Sequence, residues 1–285
     1  MSKQTKSQIE RREDGTIKIS QVLPWKDLKV TWDEVLNAAA ENAKVPGFRK
    51  GKAPKKLIVD QVNKASVREE VLRKHLPKAY IEAIGEHGLK PIMDPRIHVH
   101  NAKGEGELEE GKDWVFEAQT AEAPTVDLAD YKEKIKAITA KSKIVIPGKE
   151  PEPPKFDELI KTLLESVKVK IPQVLIEKEA DRLLAQSLDE IRRLGLTLDQ
   201  YLASTGRNTQ DFRAEYTRKA ENDLKLEFAL QKVAETEKIV VSDDDISKSI
   251  AGAKTDAERR DMEQNRYLIA SILRQQKTLD FIKSL

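Results

Sequence analysis

Cysteine is absent from all 285 residues. That excludes disulfides, thiolate metal ligands and a cysteine nucleophile, and it suits a reducing compartment. Aromatic residues are scarce at 5%, while charged residues reach 35%. Such a balance, rich in Ala, Glu, Lys and Leu, favours long exposed helices over a sandwich or barrel. No apolar run approaches the ~18 residues that a spanning helix needs. Residues 1–8 are polar and carry no apolar segment of the secretory kind. A soluble, cytoplasmic protein without a membrane partner is therefore expected. Charge of one sign is also missing, because the net charge is only +2, so any nucleic-acid contact has to come from a local patch. There is no Gly-x-x-x-x-Gly-Lys-Ser/Thr phosphate loop, and no cofactor is expected.

What is present is organised in two parts. Residues 16–22 alternate polar and apolar and predict a strand. Pro24 suits a first helical position, and Trp25, Leu28, Trp32, Val35, Leu36 and Ala39 recur at helical spacing towards residue 43. Pro54 opens a short helix through Val62. Ser66 and Glu69 have capping-box spacing at the start of a further helix towards His87, inside which Pro77 should produce a kink. Residues 92–100 and 113–121 alternate around a Gly/Glu-rich turn and predict an antiparallel hairpin. The fold class expected for 1–125 is thus α+β: a strand, three helices and a β-hairpin. Residues 126–155 are expected to be an extended Pro-rich linker, with 144–146 as a short strand and 147–154 as a stiff polar connector. From Phe156 to Leu285 the pattern is helical throughout, an all-α domain with long helical arms. Its longest helix, 209–236, would span about 40 Å at 1.5 Å per residue. Leu224, Leu226, Phe228 and Leu230 spread around that helix, so its second half must meet several neighbours or leave apolar surface open. One helix is expected over 242–251 and a last one from 255 to near the C-terminus.

The segment Val45-Pro-Gly-Phe-Arg-Lys-Gly-Lys-Ala-Pro-Lys-Lys56 concentrates positive charge. Between Asn42 and Val59 no acidic residue occurs, yet Lys44, Arg49, Lys50, Lys52, Lys55 and Lys56 are all basic. Gly47 and Gly51 bracket Phe48-Arg49-Lys50 and permit a tight tip from which those three side chains project. A ring beside two cations fits a partner that combines an apolar pocket with phosphates or carboxylates. The plainer alternative is a solvated basic turn whose Phe48 folds back onto the core.

Gly47-Phe-Arg-Lys-Gly51 followed by Pro54 resembles the ribosome-binding signature of the trigger factor family, the bacterial ribosome-associated chaperones. The preceding strand and helix, then Ala65-Ser-Val-Arg68 opening the next helix, and the closing hairpin follow the family's order. The resemblance implies that Phe48, Arg49 and Lys50, with Gly47, Gly51 and Lys52, contact the large ribosomal subunit at an exit-site protein and adjacent rRNA. Lys170-Ile-Pro-Gln-Val-Leu-Ile-Glu177 is similar to a helix-opening segment of the same family. Residues 234–246 are similar to its late helix–turn–helix junction, a pattern that related periplasmic chaperones share. The family usually inserts a prolyl isomerase domain between the two parts, whereas here the connector at 147–154 joins them directly. The expectation is an ATP-independent holdase without isomerase activity, binding nascent or unfolded polypeptides. Tyr201, Phe212, Tyr216, Phe228 and Tyr267 are candidate client-lining residues, and a weak homodimer is compatible with this picture.

Other signals are weaker. His98-x-His100 places two imidazoles on one strand face, but the sequence offers no cysteine and no evident third ligand, so ordinary strand histidines and no metal are expected. His75 and His87 lie on a helix without a recognisable nucleophile. No acid, base and oxyanion donors assemble in the sequence, which argues against catalysis. The rival is an adaptor that docks on the ribosome or rRNA and recruits a partner without holding clients.

Overall fold

Alternation builds the first sheet. In the computed structural model, which describes residues 6–42, 62–102, 106, 108–142 and 155–285, strands β1 (Gln8–Arg11), β2 (Ile17–Leu23), β3 (Arg96–Asn101) and β4 (Trp114–Thr120) form an antiparallel sheet in the order β1-β2-β4-β3. Ile17, Ile19 and Leu23 on β2 and Trp114, Phe116 and Ala118 on β4 turn to one face and are buried. A period of two puts the intervening polar residues on the other face. Strand β1 was not anticipated, since Gln-Ile-Glu-Arg offers a single apolar residue. Strand β3 begins four residues later than the alternation suggests. Pro91 and Pro95 lack the backbone donor a ladder needs; the Ile92 N–H between them still bonds the Ala121 carbonyl at 3.0 Å, and the regular ladder starts after Pro95.

Helices α1 (Trp25–Asn42) and α2 (Lys64–His87) cover the apolar face. Leu28 and Trp32 of α1 and Val67, Val71, Ala79 and Ala83 of α2 are buried in one core with the strands. All three tryptophans of the chain meet there, with ring centroids 5.4, 6.0 and 6.2 Å apart for Trp25–Trp32, Trp25–Trp114 and Trp32–Trp114. Asn63 caps α2 by accepting from Ala65 N at 2.9 Å. Gly88, at φ 61°, closes it in the left-handed conformation that glycine adopts without steric cost. Pro77 lies within α2, which nevertheless runs as one helix.

The described residues divide into two compact units, Met1–Ala123 and Pro124–Leu285. The second begins earlier than the composition suggests. Residues 126–142 are not extended connector: strand β5 (Val126–Asp127) pairs with β6 (Lys168–Val169), and helix α3 (Tyr131–Ser142) packs on α4 (Phe156–Ser166). Tyr131, Ile135 and Thr139, one turn apart, make a buried stripe that five nearby lysines obscure in the sequence. The connector proper, 143–154 with the expected strand at 144–146, lies outside the described residues.

Helix α5 (Gln173–Arg193) packs against α7 (Thr209–Thr236), with α6 (Leu198–Thr205) between them in the chain. Helices α8 (Asp243–Ala251), α9 (Asp256–Gln264) and α10 (Arg266–Ser284) complete the unit. The single last helix expected from residue 255 is broken at Asn265. That side chain donates to the Asp261 carbonyl at 2.9 Å beside the backbone bond from Asn265 N at 3.0 Å, and the residue's φ of −108° and ψ of 31° leave the helical region. Leu159 and Leu163 of α4, Ala229, Leu230 and Val233 of α7 and Ile282 of α10 share one core with Tyr131 and Ile135.

Two measurements check these packings. Ile135→Ala, at a fully buried position, should cost about 2–5 kcal/mol in urea unfolding followed by far-UV circular dichroism. The exposed Lys136→Ala should stay within about 0.5 kcal/mol. In the first unit, Thr31 Oγ1 lies 2.8 Å from His75 Nε2, joining α1 to α2. Burial first, then the charge of Lys78, lowers the pKa of His75. The unfolded chain therefore binds the proton more readily, and stability of this unit should fall as pH drops below about 6.5. Tryptophan emission, which arises wholly from this unit, should report that loss, and His75→Gln should abolish the His75-dependent part.

Candidate functional site

The basic segment 43–61, with Gly47, Phe48, Arg49, Lys50, Gly51 and Lys52, lies outside the described residues. Its two anchors are described. Helix α1 leads into it from Trp25, whose backbone N–H donates to Asp113 Oδ1 at 2.7 Å. On the far side, Lys64 pairs with Glu110 at 3.3 Å and Arg68 Nη1 donates to the Leu108 carbonyl at 3.0 Å. The start of α1 and the start of α2 are thereby both tied to the segment that connects β3 and β4.

Elsewhere in this unit Ser7 and His87 come together, which the sequence did not suggest. Ser7 Oγ lies 3.0 Å from His87 Nε2, but its proton goes to the Glu86 carboxylate, and His87 also faces the Ser7 carbonyl at 3.2 Å. Ser7 is buried. The trio clamps the chain before β1 to the end of α2, and the hydroxyl has no path to an outside carbonyl.

In the helical unit, two open grooves flank the second half of α7, and Leu230 lines both. The first, about 610 Å³, runs between α4 and α7, with Phe156, Ile160, Leu164 and Leu226 as apolar lining and Leu279 contributed by α10. Asp157, Lys161, Glu165 and Lys225 supply a rim of both signs. Lys283 Nζ stands 4.6 Å from the centroid of the Phe156 ring, which remains exposed. The second groove, about 590 Å³, lies between α7 and α10 and is closed at one end by the extended run Ile239-Val240-Val241.

That run is held out by its carbonyls rather than by packing. Arg274 Nε donates to the Ile239 carbonyl at 3.1 Å, and Lys277 Nζ reaches the Val240 carbonyl at 3.4 Å. Lys277 also binds Asp245, whose carboxyl it holds far below the usual carboxylate range, with help from Ser242. Val240 is consequently 74% exposed and Tyr267, on the opposite wall, 90%. Glu227 lines the same groove, and its carboxyl is pushed up by burial and by the Glu179 charge. The grooves combine apolar floors with adaptable charged rims, the chemistry for loose capture of an extended apolar chain.

The five aromatic candidates separate. Tyr267 stands free on a groove wall. Phe228 is half-buried. Phe212 is 3% exposed, with ring centroids 6.1 Å from Tyr201 and 4.9 Å from Tyr216. Tyr216 Oη donates to Ser187 Oγ at 2.8 Å. These three rings, with Ile191 and Leu202, pack the corner of α5, α6 and α7, so Phe212 is core there and cannot present its ring as it stands. The sequence missed Phe156, Leu226 and Val240. Leu226 was visible only as part of an apolar excess around α7, and Val240 only as one residue of an apolar turn.

Val240→Asp combined with Tyr267→Ser should leave helicity unchanged and lower bis-ANS emission, since both side chains are exposed. Leu230→Ala, at the buried residue between the grooves, should instead destabilise the fold by about 2–5 kcal/mol. Equal dye binding by the double variant and the unaltered chain would place the apolar surface elsewhere.

Comparison with known proteins covers both units. A family model described as bacterial trigger factor protein matches residues 5–150, and one for the trigger factor C-terminus matches 150–284. The trigger factor of Lactococcus lactis subsp. lactis (strain IL1403) is 28% identical over 166 residues, covering 58% of this chain and 34% of that protein. The trigger factor of Rhodococcus opacus (strain B4) is 33% identical over 128 residues, 45% of this chain and 26% of that protein. The aligned part of the chain thus spans about a third or less of the curated relatives' length. A solved structure, "Promiscuous Substrate Recognition in Folding and Assembly Activities of the Trigger Factor Chaperone", shares the fold with a TM-score of 0.61, 13% identity and coverage of 97% of this chain and 99% of that one.

Proposed function

Because the chain belongs to the trigger factor family, we propose that it is a ribosome-associated, ATP-independent chaperone that docks near the nascent-chain exit and holds unfolded polypeptides. The order of the two family matches along nearly the whole chain carries this reading. The first unit supplies the anchor. Phe48, Arg49 and Lys50, framed by Gly47, Gly51 and Lys52, would seat a ring and two cations on an exit-site protein and neighbouring rRNA. The ties of Lys64 and Arg68 to the β3–β4 connection support a rigid base for that segment.

The second unit supplies the holding surface. Two grooves sharing one helix let a client lie on either side of α7 without a fixed register. Their apolar floors gain from burying any hydrophobic segment, at about 25 cal/mol per Å² before the cost of ordering the client. Affinity for one segment is then weak, and retention comes from tethering beside the emerging chain. The residues assigned to client contact are Phe156, Leu226, Val240 and Tyr267. Among the described residues no helix is long and apolar enough to cross a membrane.

The two family matches adjoin at residue 150, so a domain-sized isomerase module has no room between them, and no prolyl isomerase activity is assigned to this chain. In a protease-coupled assay, turnover should equal the uncatalysed rate.

Co-sedimentation tests the anchor. Replacing Phe48, Arg49 and Lys50 by alanine should abolish ribosome binding while the circular dichroism spectrum is kept. Binding of the unaltered chain should weaken as salt rises, as phosphate contacts require. Suppression of aggregation of a denatured model protein tests the holding surface. Val240→Asp with Tyr267→Ser should reduce it severalfold without affecting co-sedimentation. Ribosome binding without any suppression would leave the docking adaptor as the function.

A further inference from the structure

The run Ile239-Val240-Val241 is tied at both ends and along its length. At its start Lys238 stands at φ 54°, a left-handed conformation uncommon for a residue with a side chain, and the Ile239 N–H donates to the Ala234 carbonyl at 2.8 Å. At its end Ser242 and Asp245 cap α8 reciprocally. Between these points the bonds come from α10. Arg274 and Lys277, three residues apart and so on one face of that helix, reach the Ile239 and Val240 carbonyls at 3.1 and 3.4 Å. Both bonds are polar. Val240 itself stays 74% exposed, although it lines the same groove as Leu230, Ala270 and Tyr267.

Lys277 is the member on which the arrangement turns. Its Nζ lies 2.6 Å from Asp245 Oδ2, the oxygen that also accepts from Ser242 N at 2.9 Å and from Ser242 Oγ at 2.8 Å. One ammonium thus joins the α8 cap to the Val240 carbonyl. The contact to the carbonyl is long and the contact to the carboxylate short and charged, so Asp245 sets where the ammonium stands and the carbonyl follows it. Without the ammonium the Val240 peptide has no tie to α10, while an apolar groove remains open beside its side chain. Hydrophobic burial then favours turning Val240 inward.

We propose that Lys277 is a positioning residue for client capture: it latches the 239–241 strap open, and its loss lets Val240 fold onto the groove between α7 and α10 and take the place of a client there. This rests on the client-holding reading and deepens it, by assigning the opening of one groove to a charge outside it. Lys277 lines neither groove, so its effect is exerted through the strap. The groove between α4 and α7 contains no residue of the strap and stays open in either state.

The chain has no cysteine, so Val240→Cys supplies a unique thiol, small and apolar enough to stand in for valine, whose alkylation by iodoacetamide reports exposure of the strap with no client present. Rates are compared at about pH 9.5, where an exposed thiol is mostly thiolate with or without a neighbouring cation. Adding Lys277→Met should slow alkylation severalfold, whereas Lys277→Arg, which keeps the charge, should leave the rate unchanged. With Val240 intact, Lys277→Met should lower suppression of aggregation severalfold and leave ribosome co-sedimentation as it was, and Lys277→Arg should rescue it. Circular dichroism verifies that each variant folds. Equal alkylation with Met and Lys at position 277 overturns the latch. Slowed alkylation with full suppression by Lys277→Met, where Val240→Asp with Tyr267→Ser does lower it, overturns the part played in capture. If neither variant lowers suppression, the client-holding reading itself falls, and the role in capture with it.

Discussion

Burial of Ala229, Leu230 and Val233 on helix α7 is the interaction on which the helical unit depends. These residues meet Leu159 and Leu163 of α4 and Ile282 of α10, together with Tyr131 and Ile135 of α3. The two alanine- and valine-sized positions let neighbouring helices approach closely, while Leu230 fills the space between them. Four helices share this one row, so each leans on the same few side chains. A helix that serves several neighbours at once cannot be fully covered by any of them.

The grooves follow from that constraint. Leu226 sits one turn from Leu230, is partly buried against the same core and lines the groove between α4 and α7. Leaving such surface open forfeits hydrophobic stabilisation that a closed core would have gained. The fold compensates with directional bonds. Arg274 and Lys277 hold the carbonyls of Ile239 and Val240, and the reciprocal cap between Ser242 and Asp245 fixes the start of α8. Polar bonds thus keep an apolar turn exposed, and the cavity beside it does not collapse.

The first unit solves a different problem. Its sheet puts all three tryptophans and most of its large aliphatic residues on one side and its charges on the other. The apolar side gives α1 and α2 a shared core to pack on. The polar side is ordered by register: Lys18, Glu117 and the two histidines are brought together by strand pairing alone, with no loop between them. One pleated element therefore carries a scaffold on one face and a cluster of ionisable groups on the other.

Local periodicity was enough to find the long helix 209–236 to the residue and the β2 and β4 strands within a residue or two. Each of these rests on neighbours in the chain, through helical or two-residue spacing, whereas the capping box read at Ser66 and Glu69 gives way to Asn63, three residues earlier. The helix at 131–142 escaped notice because its stripe of Tyr131, Ile135 and Thr139 is thin and lysine-rich, and it earns its place only by packing on α4. The break at Asn265 is a local departure from helical backbone angles, accompanied by a side-chain bond to the Asp261 carbonyl, which no apolar pattern announces. Phe212 and Tyr267 look alike in sequence, both aromatic on helices. Whether a ring is spent in a corner or left on a groove wall depends on which distant helix lies opposite. Glu117 likewise becomes a neighbour of His98 only through the register of β3 on β4. The chain by itself specified most of its elements and the concentration of basic residues between 44 and 56, because those are short-range properties. Tertiary structure decided which apolar residues stayed uncovered and which polar ones met, because burial and proximity are set by partners far away in the sequence.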